Sequence, residues 1–375
     1  MNRQRGRSGG SGPFDGRSVL VTGHTGFKGS WLALWLHRLG AEVTGYALDP
    51  PTEPSHFESA HVADLLVEDV RADIREADRI AEVVRRSAPD VIFHLAAQPI
   101  VRASLVDPRE TFDVNVVGTA SVLDAVRAAG NPCAVVVVTS DKCYRNDGQV
   151  WGFREDDPLG GHDPYSASKA GAELVVDAYR SSFFPARRLA DHGVRLASAR
   201  AGNVIGGGDW AEDRLVPDAV RALSAGADLA VRNPGSTRPW QHVLEPLSGY
   251  LALAARLLVE EHPDAWTGAW NFGPPSTDEA TVAELATALV DAWGPGRWTV
   301  PEGTSSDVEA KTLRIAIDKA VSMLGWQPRW HIDDAVTRTV GWYRDFYRDP
   351  ARSMRERSLA DIEAFEAADR APVPS

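Results

Sequence analysis

Tyr165 and Lys169 are the residues whose types and spacing most directly indicate chemistry. They lie four positions apart in the segment "PYSASKAGAELV", which has the pattern of a helix. Residues at this spacing share one helix face and can interact. A neighbouring ammonium stabilises a phenolate, which lowers a tyrosine pKa from about 10 toward the range of a general base. The pair therefore predicts a catalytic tyrosine, although Tyr-x-x-x-Lys pairs are also common by chance.

Ser140, Asp141 and Lys142 form a second group, in "VTSDKCYRND", at the end of a strongly β-forming run. Lysines occur only at positions 28, 142, 169, 311 and 319, although Lys and Arg together number 40. A lysine placed directly after an acid at a strand end is therefore a candidate functional residue. The alternative is a solvated turn, since such residues favour turns.

The segment "VLVTGHTGFKGSW" predicts a strand, a glycine turn and the start of a helix. Glycines in such a turn permit a tight bend and let the backbone approach a pyrophosphate at the helix N-terminus. The next strand ends at Asp49, which is placed to accept hydrogen bonds from an adenosine ribose and disfavours the extra phosphate of NADP. We expect NAD, rather than NADP or a structural turn. Lys28 lies either near bound phosphate or in solvent.

Two further strand ends, "ADIRE" and "HLAAQ", are positioned to border the adenine and the distal ribose, although they are also ordinary strand ends. The expected cofactor-binding residues are Gly23, Thr25, Gly26, Phe27, Gly29, Asp49, Asp73, Ile74, Leu95, Ala96 and Ala97, together with Tyr165 and Lys169.

Short β-rich runs alternate with amphipathic helices from Arg17 onward, and these elements would position the residues above. The repeated strand, helix, strand order predicts an α/β fold with a doubly wound parallel Rossmann sheet covered on both faces. After about Gly202, loops rich in Gly and Pro predict a smaller C-terminal substrate-binding lobe.

These patterns divide the chain into four parts. We expect a flexible tail over residues 1–15, an NAD-binding Rossmann domain over 16–200, a mainly substrate-binding lobe over 201–349, and a C-terminal helix and tail over 350–375. The tail is rich in Gly, Ser and Arg and lacks apolar periodicity. The amphipathic segment 245–261 is expected to return to the Rossmann domain.

The composition argues against several classes of protein. Hydrophobic residues make up 43% and charged residues 25%, an ordinary soluble profile. The net charge of -12 argues against a nucleic-acid partner. We expect a cytoplasmic protein without a membrane partner, because no apolar stretch could span a bilayer and no leader opens the chain. Cys133 and Cys143 lack metal-ligand spacing, so we expect buried thiols and no metal site.

The glycine turn, the "HLAAQ" strand end and the pair of Tyr165 and Lys169 resemble those of an extended short-chain dehydrogenase/reductase. More narrowly, "VTGHTGFKGSWL", "TSDKCY", "RAGNVIGGGDW", "RPWQHVLEPLSGY" and "LGWQP" are similar to the CDP-glucose 4,6-dehydratases. The likeness extends from about residue 14 to residue 343. The related dTDP-glucose dehydratases carry Thr-Asp-Glu where this chain has Ser-Asp-Lys at 140–142.

In the reaction that this resemblance implies, Tyr165 deprotonates the sugar 4-hydroxyl while hydride passes from carbon 4 to NAD, and Ser140 hydrogen-bonds the same oxygen. The ketone acidifies carbon 5. Asp141 suits the acid that protonates the departing 6-hydroxyl if burial raises its pKa. Lys142 is either the base at carbon 5, if desolvation and nearby cations lower its pKa, or a cation that stabilises the enolate. Hydride finally returns to carbon 6.

The resemblance also implies a nucleotide-sugar substrate, CDP-glucose, whose diphosphate calls for arginine and amide donors. Asn203, Arg238 and Asn271 match the family motifs as substrate-binding residues, with Arg200 as a structural partner. We expect a homodimer or a dimer of dimers, because two helices have apolar faces broader than one sheet contact needs.

Three alternatives stay open. A nucleotide-sugar 4-epimerase needs the same oxidation by Tyr165 but has no use for an acid and a base at carbons 5 and 6, so Asp141 and Lys142 favour dehydration. A dehydratase that acts on another nucleoside diphosphate glucose differs only in the base it recognises. A non-catalytic NAD-binding protein would be expected to have lost Tyr165, Lys169 or Asp141.

Overall fold

The computed structural model describes residues 12–259, 263–275, 278, 280–301 and 313–368. Within this part of the chain the strands are β1 (Ser18–Thr22), β2 (Glu42–Ala47), β3 (Glu68–Arg71), β4 (Val91–His94), β5 (Cys133–Val138), β6 (Val194–Ala201), β7 (Val204–Ile205), β8 (Leu229–Ala230), β9 (Thr237–Arg238), β10 (Gln241–His242), β11 (Gly268–Phe272), β12 (Ala280–Thr281) and β13 (Trp298–Thr299).

The helices begin and end within the same described ranges. They are α1 (Phe27–Arg38), α2 (His56–Ser59), α3 (Ala77–Ser87), α4 (Val101–Val106), α5 (Pro108–Phe112), α6 (Gly118–Ala129), α7 (Pro164–Ser182), α8 (Leu189–His192), α9 (Leu215–Ser224), α10 (Leu244–Val259), α11 (Val282–Trp293), α12 (Ile332–Arg348) and α13 (Arg355–Ala367). A π-helical turn, Asp113–Val117, joins α5 to α6.

The main sheet has the strand order β11-β6-β5-β4-β1-β2-β3, and every neighbouring pair is parallel. The chain starts at β1, runs outward to β3, and then returns past β1 to β4. Ligands of such sheets bind at the carboxyl ends of the strands, where the strand order reverses. The predicted doubly wound α/β fold is confirmed, and its switch point lies between β1 and β4.

Both faces of this sheet are covered. On one face α1 and α10 pack around a core that includes Trp31, Trp35 and Tyr250. On the other face α3, α6 and α7 enclose a second core that includes Val122 and Val176. Every residue of β5, "CAVVVV", is buried, which explains its unbroken apolar sequence.

Both ends of the described chain pack on the core. Phe14 is 2% exposed and packs on Phe93, so the expected flexible tail of residues 1–15 is too long; residues 1–11 lie outside the described part. At the other end, Phe365 in α13 is fully buried against Trp35, and Trp35 donates to Glu366 at 2.8 Å. The C-terminal helix is therefore part of the core.

The chain after residue 201 adds short strand pairs: β7 with β10, β8 with β13, and β9 with β12. It also returns to the main sheet, because β11 pairs with β6 and α10 packs on β5 and β6. The helix expected over 245–261 is described as Leu244–Val259, and residues 260–262 lie outside the described ranges. None of the helices described has the length and apolarity needed to cross a membrane.

Candidate active site

The glycine turn between β1 and α1 has the close backbone packing that its sequence predicts. Gly23 has φ +75°, and a β-carbon there would lie 2.7 Å from the backbone nitrogen of Ala96. A β-carbon on Gly29 would lie 2.0 Å from the Gly23 carbonyl oxygen. The Thr25 hydroxyl donates to the Leu48 carbonyl at 2.9 Å, which ties the turn to the end of β2. At both glycines the backbone is packed so closely that a side chain would not fit.

The end of β4 lies against this turn. The backbone nitrogen of Leu95 donates to the Thr22 carbonyl at 3.1 Å, and that of Ala96 donates to the Thr22 hydroxyl at 3.2 Å. The expected residues Gly26, Phe27, Leu95, Ala96 and Ala97 therefore lie along one edge of the sheet. A glycine turn that leads into a helix, at the point where the strand order of the sheet reverses, is suited to bind the pyrophosphate of a dinucleotide.

Asp49 is at the end of β2, as expected, with its side chain 90% exposed. It is paired with Arg71 at 3.2 Å, and Arg71 also holds Asp69 at 2.7 Å. The Asp69 carboxylate contacts the fully buried His24 at 2.8 Å. Sequence reasoning missed this series of side-chain contacts from the glycine turn to Asp49, because His24 and Arg71 come together only when β1, β2 and β3 pair.

Asp73 and Ile74 follow β3, but their side chains are already engaged. Hydrogen bonds from Arg75 lower the pKa of the Asp73 carboxylate, which lies 3.0 Å from the Arg75 Nε. Ile74 is 5% exposed and belongs to the second core, where it faces Gly118. The Ile74 side chain is therefore a core residue, whereas the Asp73 carboxylate, whose side chain is 20% exposed, can still accept a hydrogen bond from a cofactor.

Helix α7 presents the tyrosine and lysine on its buried side. The Asp163 side chain caps its N-terminus by accepting from the Ser166 backbone at 2.9 Å, and Pro164 opens its first turn. Tyr165 and Lys169 are 8% and 6% exposed. The predicted helix brings the two residues to one face, at the carboxyl edge of the sheet.

The electrostatics of Tyr165 differ from the sequence expectation. Burial raises the pKa of Tyr165 to about 12, opposed mainly by a hydrogen bond with Ser140 and by the Arg214 guanidinium, while Asp141 raises it further. The expected lowering is absent, because desolvation of the phenolate outweighs the nearby donors. Burial also lowers the pKa of Lys169 to about 8.

Ser140, Asp141 and Lys142 follow β5 in a short 3₁₀ turn, Asp141–Cys143. The Ser140 hydroxyl donates to Asp141 Oδ1 at 3.0 Å and accepts from the Lys142 backbone at 3.2 Å. Asp141 is 2% exposed, and its Oδ2 atom has no hydrogen-bond partner among the described residues. A buried carboxylate oxygen without a partner is costly, which excludes the alternative of a solvated turn and indicates a site for a ligand donor.

Lys28 lies near Asp141, Lys169 and Arg214. Burial lowers the pKa of Lys28 to about 8; the nearby Arg214 and Lys169 also lower it, and Asp141 raises it. Arg214, which sequence reasoning missed, is held by Asp209 at 2.8 Å. Lys28 therefore combines the burial and the neighbouring cations that were expected of Lys142.

Two of the expected substrate-binding residues, Asn203 and Arg238, belong to the second lobe. Asn203 is half-buried in the turn between β6 and β7, where its carbonyl accepts from the Gln241 backbone at 3.2 Å. Arg238 is 5% exposed at the end of β9. A β-carbon on Gly202, next to Asn203, would lie 2.7 Å from the Asp141 carboxylate, so this turn borders the catalytic candidates.

Asn271 does not fit the expected role. It is fully buried in β11, and its Oδ1 accepts from the Tyr144 hydroxyl at 2.8 Å. Its amide nitrogen donates to the carbonyls of Phe153 at 2.9 Å and Ala316 at 3.1 Å. Both amide protons are thus used, so Asn271 is a structural residue that joins β11 to two neighbouring segments rather than a substrate ligand.

Comparisons with known proteins show the family to which the chain belongs. A family model described as GDP-mannose 4,6 dehydratase matches residues 20–339. A CDP-glucose 4,6-dehydratase from Salmonella typhimurium is 48% identical over 335 residues, covering 89% of this chain and 92% of the relative. A UDP-glucose 4-epimerase from Mycolicibacterium smegmatis is 29% identical, covering 87% of this chain and 98% of the relative.

Among solved structures, a dTDP-glucose 4,6-dehydratase from Streptomyces venezuelae with NAD bound superposes with a TM-score of 0.70. It is 26% identical, and the match covers 88% of this chain and 97% of that one. Together with the Rossmann sheet, the glycine turn and the paired Tyr165 and Lys169, these similarities show that the chain belongs to the GDP-mannose 4,6-dehydratase family of extended short-chain dehydrogenases/reductases.

Proposed function

We propose that the chain is an NAD-dependent CDP-glucose 4,6-dehydratase, which converts CDP-glucose to CDP-4-keto-6-deoxyglucose. The observation that carries the proposal is the buried Asp141 carboxylate, with one oxygen left without a partner among the described residues, next to Ser140 and near Tyr165. The 48% identity with a CDP-glucose 4,6-dehydratase supports the same reaction and the same nucleotide.

The cofactor would lie along the glycine turn, with its adenosine end toward Asp49 and its nicotinamide end toward α7. When bound, NAD supplies the acceptor for hydride from carbon 4 and the donor of hydride to carbon 6. The relevant features of this chain are Gly23 and Gly29, where a side chain would not fit, and the ammonium groups of Lys28 and Lys169. The Lys28 ammonium, in the first turn of α1, would attract the diphosphate of the cofactor.

In the oxidation half, Tyr165 takes the proton of the sugar 4-hydroxyl while the hydride leaves carbon 4. Ser140, which hydrogen-bonds Tyr165, is placed to contact the same sugar oxygen. Because burial raises the pKa of Tyr165 to about 12, the phenolate needs a positive neighbour in the working complex. The positively charged nicotinamide ring and the Lys169 ammonium would supply it.

In the elimination half, Asp141 donates the proton with which the 6-hydroxyl leaves as water. A base removes the proton on carbon 5, and either Lys28 or Lys142 has the chemistry for this step. Lys28 has the lowered pKa that a lysine base requires, whereas Lys142 is adjacent to Asp141 in sequence. Asn203 and Arg238 are the proposed contacts of the nucleotide sugar.

We infer that the chain acts as a homodimer or a dimer of dimers. Helices α4 to α7 present exposed large apolar side chains on the face turned away from the sheet. These residues are Leu105, Val106, Phe112, Val117 and Leu174. Apolar residues concentrated on adjacent helices are typical of a helix-packed dimer interface.

The test is to incubate the purified protein with CDP-glucose, and separately with the UDP, dTDP and GDP analogues, in deuterated water and to identify products by NMR. A 6-deoxy-4-keto product from CDP-glucose alone, deuterated at carbon 5, is the expected result. The Tyr165→Phe variant should lose turnover and keep NAD binding. A CDP-galactose product without deuterium would replace the proposal with a 4-epimerase, and activity on another analogue would change the nucleotide.

A further inference from the structure

Glu173 lies one turn after Lys169 on α7 and is buried, with 3% of its surface exposed. Its carboxylate accepts hydrogen bonds from the Thr139 hydroxyl, from the Ser198 hydroxyl at 2.7 Å and from the Arg200 guanidinium at 2.8 Å. Thr139 directly precedes the turn that carries Ser140 and Asp141. The carboxylate thus connects the catalytic helix to β6 and to the end of β5.

Arg200 extends this connection toward Asp141. Its Nη1 atom donates to the Tyr144 hydroxyl at 2.7 Å and to the Glu155 carbonyl at 2.8 Å, and its guanidinium lies 4.9 Å from the centre of the Tyr144 ring. The Tyr144 hydroxyl donates to Asn271. Since Tyr144 lies three residues after Asp141, the buried pair of Glu173 and Arg200 fixes both halves of the proposed catalytic group.

The charges around Lys169 explain why a buried acid is useful here. Lys28 approaches from α1 as a second cation. His94 approaches from β4, and burial lowers its pKa to about 3, so the ring is neutral. Cys143 approaches from the turn after β5, and burial raises the pKa of its thiol, so it is neutral as well. Among these described neighbours, Glu173 supplies the negative charge that opposes the desolvation of Lys169.

A buried ion pair is weak evidence for a role in stability, because the desolvation of both charges can exceed the gain from their attraction. We propose that Glu173, held in place by Arg200, is a positioning residue that keeps the Lys169 ammonium charged beside Tyr165 and fixes the turn bearing Asp141. This inference rests on the proposed function, in which a charged Lys169 stabilises the Tyr165 phenolate.

The direction of the effect follows from the charges. In the folded protein burial lowers the pKa of Lys169 to about 8, and the Glu173 carboxylate raises it. Without that carboxylate the pKa should fall by roughly one unit, as expected for the loss of one nearby opposite charge. Lys169 then loses its proton at a lower pH than in the wild type. The alkaline limb of the pH profile of kcat should move to lower pH by the same amount.

The experiment is carbon NMR of the full-length protein labelled at the lysine ε-carbons. With lysines only at five positions, 28, 142, 169, 311 and 319, the spectrum is simple, and a Lys169→Arg variant assigns the resonance. The pKa of Lys169 is measured in the wild type, in Glu173→Gln, in Glu173→Asp and in Ser198→Ala. The last variant removes one hydrogen bond from the same carboxylate but keeps its charge.

We expect the pKa of Lys169 to fall in the order wild type, Glu173→Asp, Glu173→Gln, with Ser198→Ala close to wild type. The alkaline limb of kcat should follow the same order. If Glu173→Gln does not accumulate as folded protein, the smaller decrease in Glu173→Asp carries the test. An unchanged Lys169 pKa in the folded charge variants, or an equal decrease in Ser198→Ala, overturns the proposal.

The two proposals fail differently. The NMR titration does not depend on turnover, so it tests the electrostatic role of Glu173 even if the wild-type protein does not act on CDP-glucose. Wild-type protein that leaves CDP-glucose unchanged overturns the proposed function alone. If the wild type dehydrates CDP-glucose but the pKa of Lys169 is the same in the Glu173 variants, the positioning role alone is overturned.

Discussion

A β-carbon on Gly202 would lie 2.7 Å from Oδ2 of Asp141, the carboxylate oxygen that has no partner among the described residues. The same β-carbon would lie 3.0 Å from the ring of Pro239. Gly202 follows β6, whereas Asp141 follows β5, its neighbour in the sheet. The absence of a side chain at Gly202 therefore allows the turn after β6 to lie close to the proposed general acid.

We predict that Gly202→Ala displaces the Asp141 carboxylate and lowers kcat by roughly 10- to 100-fold, because small misplacements of a reacting group are expensive in rate. NAD binding should change little, since the glycine turn lies on another loop. Steady-state kinetics and a fluorescence titration with NAD measure the two effects. Gly235→Ala is the matched control, because a β-carbon there meets nothing within 4 Å. Equal kinetics in both variants would contradict the prediction.

The fold and the reactive pairs could be predicted from local sequence. Strand and helix periodicity indicated the parallel sheet, and the four-residue spacing placed Tyr165 and Lys169 on one face of α7. These features depend on residues close together in the chain, or on the regular geometry of elements. For that reason β5 and α7 carry their candidates to the same edge of the sheet.

What sequence could not give was the environment of each group. The expected lowering of the Tyr165 pKa was wrong, since burial raises it to about 12. Asn271 was assigned to substrate, yet all of its hydrogen bonds go to segments far away in the chain. The sequence left Lys28 either near phosphate or in solvent, and only the folded structure shows that Arg214 lies beside it. Desolvation and long-range partners exist only after the chain has folded.

The exchange of the carbon-5 proton should distinguish the two lysine candidates for the base. If Lys28 is the base, Lys28→Met should slow deuterium incorporation at carbon 5 by roughly 100-fold or more, the usual effect of losing a general base. Lys142→Met should then retain exchange and lose rate only through weaker stabilisation of the enolate. NMR of the product and of recovered substrate in deuterated water measures both rates. Fast exchange in Lys28→Met, with loss of exchange in Lys142→Met, would assign the base to Lys142.

Three buried histidines predict a loss of stability in acid. Burial lowers the pKa of His56, His94 and His242 to about 3 each. Below the ordinary histidine pKa of about 6.5 the unfolded chain takes up these protons and the folded chain does not. Stability should therefore be lost as the pH falls from about 6.5 toward 3, by about 1.4 kcal/mol per pH unit for each histidine.

Urea unfolding at pH 7.5 and at pH 5.5 measures this effect. The ring nitrogens of His56 lie 2.9 Å from the Ser30 hydroxyl and 3.0 Å from the Ser358 hydroxyl, so His56→Gln keeps polar contacts there and removes the titration. The variant should show a smaller difference in unfolding free energy between the two pH values. His162→Gln is the control, because that side chain is 73% exposed. A wild-type protein equally stable at both pH values would contradict the prediction.

The preference for NAD over NADP should depend on two opposing charges. Asp49 repels the 2′-phosphate of NADP, whereas Arg71 attracts it. The two side chains are paired at 3.2 Å, and Asp49 is exposed where an adenosine ribose would bind. In Asp49→Ser the repulsive carboxylate is gone and the Arg71 guanidinium remains to bind a 2′-phosphate, so NADP affinity should rise by roughly 10-fold or more. Calorimetric titration of the wild type and the variant with NAD and NADP measures the change. The double variant Asp49→Ser, Arg71→Ala should lose the gain; if it keeps the gain, the arginine has no part in cofactor selection.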